Sequence, residues 1–252
     1  MNKNCIIIFA IDDGKSKFNH SDYYSVTKQA WESYCRKYNI DFIFVDKLTD
    51  NIPHPKWNKH CVFDYVDGYE KIGMMDFDTM PNWSAPNFFD QYTDEFCGVI
   101  DNESINWLTN SITAYRHSFN ELNVPISLCQ YINSGVLFFT KNHRYVFEEV
   151  LKFYKNNKQS LDNWSVPNTG RDQTVLNLML NKLNVNKKYL DFRFNTMRLI
   201  KNDWLQHNWQ LNENNTPFFI KYSHIWHFTG CSIEERNGLI NQIWNQTKQF
   251  YK

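Results

Sequence analysis

Two acidic residues separated by one aromatic residue end an apolar segment in the first third of the chain. The segment reads Met74-Met75-Asp76-Phe77-Asp78. In an extended strand alternate side chains share a face, so Asp76 and Asp78 are predicted to converge while Phe77 points into the core. Two hard oxygen ligands beside phosphate oxygens suit Mg²⁺ or Mn²⁺. The pair therefore indicates a metal site for a phosphate-containing ligand, although a charged strand end in a turn gives the same pattern.

A second acidic position follows the first apolar segment of the chain, at Asp12-Asp13-Gly14. A carboxylate here can accept a hydrogen bond from a nucleotide base or a ribose hydroxyl, as acidic residues do in other nucleotide-binding sheets. The alternative is a turn in which Asp and Gly only satisfy backbone geometry. The sequence contains neither a Gly-rich dinucleotide-binding fingerprint nor a P-loop motif, which argues against both of those classes.

Two polar motifs in the second half offer groups that can face a bound ligand. Asn133 precedes Ser134-Gly135, where a glycine lets the backbone approach a ligand and the amide offers a donor and an acceptor. A β-bulge explains the same residues equally well. Asp172 and Gln173 open a predicted helix, and the favourable position of an acid at the positive end of a helix dipole explains Asp172 without catalysis.

Two histidines near the end of the chain compete for a metal-binding role. His224 and His227 stand in the same predicted strand, and Gly230 follows them. An imidazole can be a third protein ligand to a first-row metal, and a glycine can lie against phosphate. A strand histidine is more often a hydrogen-bonded core residue, so the residues alone do not choose between the two.

The elements that must position these residues alternate between strands and helices in the first part of the chain. Apolar runs predict strands over 6–11, 42–45 and 72–75. Helical periodicity predicts one helix that begins at Ser21 and a second over 57–66. This β-α-β-α-β order predicts a parallel sheet, and ligands bind beyond the carboxyl ends of such strands.

The second half of the chain is less regular. The predicted elements are strands over 96–100, 132–139, 189–194 and 218–228, and helices over 143–154, 171–183 and from a capping box at Ser232 and Glu235. There is no repeat, low-complexity linker or change of composition. We therefore predict one mixed α/β domain over 1–252.

Composition limits the classes of function. The chain has 252 residues, 42% of them hydrophobic, which is enough for a sizeable core. With 27 basic and 27 acidic residues, it lacks the basic footprint of a nucleic-acid-binding protein. No apolar run approaches the roughly 20 residues of a membrane span, and the apolar start is too short for a signal peptide. We expect a soluble, cytoplasmic protein whose six scattered cysteines are core thiols.

Taken in chain order, the motifs resemble glycosyltransferase family 8, the retaining GT-A enzymes that include bacterial galactosyltransferases and glycogenin. The matching segments are 6–13, 57–59, 74–78, 131–137, 171–177 and 227–230. The resemblance implies a GT-A fold, with a mixed, mostly parallel sheet flanked by helices in a single domain. It further implies a nucleotide-binding half over 1–80, which ends in the two acids, and an acceptor and catalytic half over 81–252.

The resemblance also assigns the metal ligands. It implies that Asp76, Asp78 and His227 bind Mn²⁺ or Mg²⁺, and it selects His227 because this histidine stands three residues before Gly230. The family usually continues from that glycine to a Lys-Pro-Trp sequence, which this chain lacks. Arg236 is the candidate substitute for the missing lysine.

The remaining roles concern the donor. By resemblance, Asp12 reads the uracil side of the nucleotide, and Lys59 contacts the donor. Asn133, Asp172 and Gln173 would face the transferred sugar. The implied activity is the transfer of a hexose from a UDP-sugar to a glycan or glycoprotein acceptor with retention of anomeric configuration. Asp172 then stabilises the cationic sugar or acts as a nucleophile, unless the acceptor attacks from the leaving-group face.

Two other functions stay open at this point. A sugar-phosphate nucleotidyltransferase also uses a metal and an α/β sheet, but it usually carries a Gly-rich phosphate loop after its first strand. A non-catalytic or degenerate sugar-binding protein would use exposed aromatic side chains to stack on sugars, whereas most aromatic residues of this chain are needed for the core.

Overall fold

The computed structural model of the protein describes residues 3–11, 21–49, 52–197 and 222–251, together with the backbone of 212–213 and 216–217. Its strands are β1 (Asn4–Phe9), β2 (Asp41–Val45), β3 (Lys71–Asp76), β4 (Thr79–Pro81), β5 (Phe96–Ile100), β6 (Ile132–Thr140), β7 (Lys187–Tyr189), β8 (Asn212–Glu213), β9 (Thr216–Pro217) and β10 (Ile225–His227).

The α-helices in the same residues are α1 (Ser21–Tyr38), α2 (Pro55–Asn58), α3 (Ile105–Ser118), α4 (Arg144–Asn156), α5 (Lys158–Asp162), α6 (Asp172–Lys182) and α7 (Ile233–Thr247). None of these helices is both long enough and apolar enough to cross a membrane.

The central sheet has the strand order β2-β1-β3-β6-β5-β7. Strand β1 is parallel to β2 and β3, and β5 is parallel to β7, which confirms the predicted β-α-β-α-β unit and the mostly parallel sheet. Strand β6 is antiparallel to both of its neighbours. The start of β6 therefore lies at the same edge of the sheet as the end of β3, and Val136 pairs with Met75 there.

The central strands are buried on both faces. Alternate side chains of β1, β3 and β6 enter one of two cores. One core, below α3, α4 and α6, includes Cys5, Ile7, Phe9, Ile72, Met74, Leu137 and Phe139. The other, below α1, includes Ile6, Ile8, Met75, Val136 and Phe138. The sheet thus forms the middle of three layers. Because it is packed on both faces, it holds the residues at the carboxyl ends of its strands in place.

A small second sheet extends this edge. Strands β4 and β10 pair antiparallel and place His227 opposite Thr79. A third apolar cluster joins this sheet to α1 and α7 through residues such as Trp226 and Ile240. Helix α7 begins as predicted, because the Ser232 hydroxyl accepts a hydrogen bond from the Glu235 backbone N–H at 3.2 Å.

Three sequence predictions of secondary structure are wrong in part. The single helix predicted over 57–66 is the short α2 followed by a 3-10 helix (Lys59–Asp64) with a kink at Cys61. Of the strand predicted over 189–194, only Tyr189 belongs to a strand, at the end of β7. Phe192–Phe194 form a 3-10 turn, which the Asp191 carboxylate caps by accepting from the Arg193 N–H at 3.0 Å. Of the strand predicted over 218–228, only β10 is a strand, and 218–221 lie outside the described residues.

Helix α3 was not predicted, although its signal is present in the sequence. Ser104 caps it, and Leu108, Ile112 and Tyr115 recur at helical spacing on its buried face. The cysteines are free thiols, as predicted. Four are buried, but Cys129 is exposed and Cys231 is half-buried.

We expect Phe138→Ala to lower the free energy of unfolding by about 3–5 kcal/mol, because it leaves a cavity in the core below α1. Phe138 is fully buried and contacts the rings of Phe88, Phe89 and Tyr92 at 5.6, 6.1 and 6.1 Å between centroids. Urea unfolding measures the loss. Ile105→Ala is the control, since Ile105 is 70% exposed and its truncation should change stability by less than about 0.5 kcal/mol.

Candidate functional site

A cavity of about 810 Å³ lies at the carboxyl edge of the central sheet. The ends of β1 and β3, the start of β6 and the start of α6 contribute to its wall through Phe9, Asp76, Asn133 and Asp172. Ligand sites typically have this size and, in sheets of this kind, this location.

The two acids after β3 converge, as predicted, but not through an extended strand. Strand β3 ends at Asp76, residues 77–78 form a turn, and β4 begins at Thr79. The Thr79 hydroxyl donates to the Asp76 carbonyl at 2.6 Å and closes this turn. Phe77 packs against two apolar clusters of the core, as predicted, but it is only partly buried and also lines the cavity.

His227 completes a set of three metal-ligand side chains. One ligand atom from each of Asp76, Asp78 and His227 lies within 4.8 Å of the other two. Strand β10 carries the histidine to this point, and the Phe228 N–H donates to the Asp78 carbonyl at 2.9 Å. His227 Nε2 is 3.3 Å from Asp78 Oδ1. Two carboxylates and one imidazole form a donor set that suits Mn²⁺ or Mg²⁺.

Gly135 provides room for this set. A Cβ atom at this position would lie 2.2 Å from His227 Cε1, 2.8 Å from His227 Nε2 and 3.0 Å from Asp76 Oδ2. Any side chain here would therefore displace the imidazole and the carboxylate. The residues present fit a bound divalent cation, because the three ligand groups meet over backbone that carries no side chain.

Asn195 holds the imidazole in place, and sequence reasoning missed it. It is fully buried; its Oδ1 lies 2.9 Å from His227 Nδ1, and its Nδ2 donates to Asn133 Oδ1 at 3.0 Å. Because the amide nitrogen is the donor to Asn133, the amide oxygen accepts from Nδ1–H. The lone pair of His227 Nε2 then faces Asp78, as metal-binding histidines require. No motif marks residue 195, since the contact joins distant parts of the chain.

Asn133 and Gln173 meet at a second missed residue, Asp101. Asn133 Nδ2 and Gln173 Nε2 both donate to Asp101 Oδ2, at 3.1 and 2.7 Å. Gln173 Oε1 accepts from the Ser134 N–H at 2.8 Å, and Asn133 Oδ1 accepts from the Gly135 N–H at 2.9 Å. Both amides line the cavity, and their hydrogen bonds fix their orientation in the wall.

Lys59 connects Asp76 with Asp172. Its ammonium lies 3.3 Å from Asp76 Oδ1, 3.3 Å from Asp172 Oδ2 and 3.0 Å from Ser134 Oγ. Burial alone would lower the pKa of Lys59, but the carboxylates of Asp172 and Asp76 raise it above its usual value. Burial would raise the pKa of Asp172, but Lys59 and then His60 hold it below its usual range. Both side chains are therefore charged at neutral pH.

The remaining predicted residues lie in different places. Gly230 lines the cavity with φ 71°, a left-handed conformation that favours glycine. Arg236 contacts Asp78 Oδ2 at 3.2 Å through its guanidinium. Burial would raise the pKa of Asp78, but the guanidinium of Arg236 holds it below its usual range. Asp12 lies outside the described residues.

No protein-family model and no curated protein sequence matches the chain. Solved structures do match. A glycosyltransferase involved in the glycosylation of the major capsid of PBCV-1 aligns with a TM-score of 0.59 and 13% identity, over 94% of this chain and 99% of the other. The galactosyltransferase LgtC, in complex with donor and acceptor sugar analogs, aligns with a TM-score of 0.50 and 15% identity, over 97% and 99%.

The bifunctional glycosyltransferase WbbM aligns with a TM-score of 0.55 and 12% identity, over 98% of this chain and 51% of the other. The fold is therefore the GT-A fold of glycosyltransferases, with a mixed, mostly parallel sheet flanked by helices in one domain. Membership of family 8 in particular stays a prediction, as do the assignments of 1–80 to the nucleotide and 81–252 to the acceptor.

We expect Lys59→Met to lower the free energy of unfolding by about 3–5 kcal/mol at pH 7, because it leaves the buried Asp172 carboxylate without its cation. The loss should shrink as the pH falls towards about 4, where protonation removes the unpaired charge. Urea unfolding of both proteins at several pH values measures this.

Lys141→Met is the matched control for this loss. Lys141 and Glu70 form an ion pair at 2.7 Å whose side chains are 53% and 49% exposed. Such pairs contribute less than about 1 kcal/mol. Equal losses for the two variants would show that Lys59 is not a buried ion-pair partner.

Proposed function

We propose that the protein is a metal-dependent glycosyltransferase that moves a hexose from a UDP-sugar to a glycan or glycoprotein acceptor with retention of anomeric configuration. The observation that carries this proposal is the meeting of Asp76 and Asp78 with His227 beside a cavity whose wall contains both acids and the charged Asp172.

The metal site supports the donor assignment. A divalent cation held by Asp76, Asp78 and His227 would act as a Lewis acid and stabilise the negative charge of the diphosphate. Gly230, with its left-handed backbone, offers an approach to phosphate without a side chain. Asp12 remains the proposed contact to the uracil side.

The sugar is assigned to the part of the cavity around Asp172. Asn133 and Gln173 line the same cavity as Asp172, and their hydrogen bonds to Asp101 fix their orientations. Lys59 adds a cation between the metal-binding acid Asp76 and Asp172. These groups offer hydroxyl-binding partners together with one carboxylate, which suits a neutral sugar that becomes cationic during reaction.

In the proposed reaction, negative charge builds up on the leaving nucleoside diphosphate and positive charge builds up on the sugar. The bond between the anomeric carbon and the phosphate oxygen breaks, and its electron pair leaves with the nucleoside diphosphate. The acceptor hydroxyl oxygen bonds to the anomeric carbon and loses its proton to the departing phosphate. Asp172 stabilises the oxocarbenium-like sugar between these events, or bonds to it briefly as a nucleophile.

We expect UDP to bind only with a divalent cation, and Mn²⁺ to be preferred over Ca²⁺ because one ligand is an imidazole. Calorimetric titration of UDP with Mn²⁺, with Ca²⁺ and with EDTA measures this. Asp78→Asn should abolish the dependence on Mn²⁺. We choose asparagine over alanine because Asp78 is buried and pairs with Arg236.

Asp67→Asn is the control for this experiment, since the side chain of Asp67 is 86% exposed in its pair with Arg144. It should bind UDP like the unchanged protein. Equal affinity for UDP in Mn²⁺ and in EDTA would show that no metal ion links UDP to the protein, and this part of the proposal would be wrong.

We expect Asp172→Asn to lower kcat by about 10²-fold or more while leaving donor affinity nearly unchanged, because the charge that Asp172 meets develops mainly in the transition state. Release of nucleoside diphosphate from UDP-sugars measures kcat. It also separates the rival functions, since a nucleotidyltransferase makes pyrophosphate from a nucleoside triphosphate and a sugar phosphate and releases no nucleoside diphosphate, and a binding protein releases nothing.

The anomeric proton of the product, observed by NMR, reports the stereochemistry. An α-linked product from an α-linked UDP-sugar agrees with retention. A β-linked product would make the protein an inverting enzyme and Asp172 a general base. Unchanged kcat in Asp172→Asn would limit Asp172 to a structural role, through its contacts with Lys59 and His60 and its position at the start of the helix.

A further inference from the structure

His60 is a buried histidine beside the site that the proposed reaction does not use. Its side chain is fully buried and lies near the rings of Trp57 and Phe147, at 6.1 and 6.0 Å between centroids. Nε2 is 3.3 Å from Asp172 Oδ2. Nδ1 has no hydrogen-bond partner among the described residues. Buried polar atoms usually have hydrogen-bond partners. Within the described residues this ring has such a partner at Nε2 only, so the contact with Asp172 is the polar interaction that its position serves.

These contacts determine the protonation of the ring. A carboxylate only accepts hydrogen bonds, so Nε2 must carry the proton. An imidazolium would also place an N–H at Nδ1, which is buried without an acceptor and therefore costly. The charged groups facing the ring are Lys59 on its own element, Asp172 on α6 and Asp76 on β3. Burial is the largest effect and lowers the pKa of His60, and Lys59 lowers it further, whereas Asp172 and Asp76 raise it. Burial prevails, so the pKa lies below its usual value and the ring takes the neutral Nε2–H form.

The two oxygens of Asp172 have different surroundings. His60 Nε2 and Lys59 Nζ both lie 3.3 Å from Oδ2. No described residue donates a hydrogen bond to Oδ1, and Asp172 lines the cavity. Two donors on one oxygen fix the rotation of the carboxylate plane. The other oxygen is left to face a ligand.

The two donors differ in how firmly they hold this oxygen. Lys59 divides its ammonium among Asp172, Asp76 and Ser134, so it restrains the direction of Oδ2 less than a group with one polar contact does. His60 has a planar ring in an aromatic environment and, among the described residues, a single hydrogen-bond partner. The imidazole therefore supplies the directional restraint, and the ammonium supplies the charge.

We propose that His60 is a positioning residue that holds Asp172 by Oδ2 in the neutral Nε2–H form, so that Oδ1 is the oxygen presented to the anomeric carbon. This rests on the proposed function. In this proposal Asp172 Oδ1 faces the sugar, and Asp172 Oδ2 keeps the carboxylate in its orientation.

The first test does not depend on activity. In protein labelled with ¹⁵N-histidine, we expect His60 at pH 7 to show a pyrrole-type shift at Nε2 and a pyridine-type shift at Nδ1. Asp172→Asn should move the Nε2 signal, while Asp67→Asn should not. An Nδ1–H tautomer or an imidazolium at His60 would overturn the proposal.

The second test uses two variants of His60. His60→Gln keeps an N–H donor at nearly the same reach, whereas His60→Phe fills the aromatic site without a donor. We expect His60→Phe to lower kcat by about 10- to 100-fold, by analogy with the loss of groups that orient a catalytic ligand, with donor KM and UDP affinity unchanged. His60→Gln should restore most of kcat, which a purely structural role would not predict.

A crystal structure of His60→Phe should show the Asp172 carboxylate rotated or disordered, and an unchanged carboxylate would overturn the proposal. The proposal would also be overturned if His60→Phe kept the kcat of the unchanged protein, or if it lost kcat and UDP affinity equally. If the unchanged protein transfers no sugar while the NMR and the crystal structure agree with expectation, the positioning contact stands and the proposed function fails. If His60→Phe does not fold, the NMR experiment on the unchanged protein decides.

Discussion

The buried ammonium of Lys59 is the contact on which the rest of the site depends. It joins the end of β3 through Asp76, the start of α6 through Asp172 and the start of β6 through Ser134. Moving an ion out of water costs several kcal/mol, and only close partners offset that cost. The three elements are therefore held at fixed positions relative to one another. The antiparallel pairing of β3 with β6 makes this arrangement available, because it brings the start of one strand to the end of the other.

A series of hydrogen bonds through two asparagine amides fixes the orientation of the proposed metal-binding histidine. Asp101 accepts from Asn133, Asn133 accepts from Asn195, and Asn195 accepts from His227. A buried polar network is stable only when its members are satisfied, and here each bond also fixes an orientation. The sequence presented Asn133 as a sugar-facing group. The structure gives it a further task, since it also supports the residue that orients the imidazole.

Local sequence patterns predicted much of the fold, and long-range contacts explain most of what they missed. Apolar runs predicted the central strands because such strands are buried on both faces, and the acids after β3 stood out against that pattern. The convergence of Asp76 and Asp78 was predicted for the wrong reason, since a turn rather than strand alternation brings them together. Asn195 and Asp101 carry no local signal, because their roles depend on partners 32 or more residues away.

The three carboxylates differ in how they are held. Asp78 lies between Arg236 and His227, and Asp172 lies between Lys59 and His60, so each has one permanent cation and one imidazole. The Asp76 side chain is 30% exposed, and Lys59 is its only ion-pair partner in the part of the chain that the structure describes. A divalent cation between Asp76 and Asp78 would repel the ammonium of Lys59. Asp172 is the carboxylate that retains that ammonium. Since His60 independently holds Asp172 Oδ2, the oxygen that faces the cavity keeps its orientation while positive charge enters beside Asp76.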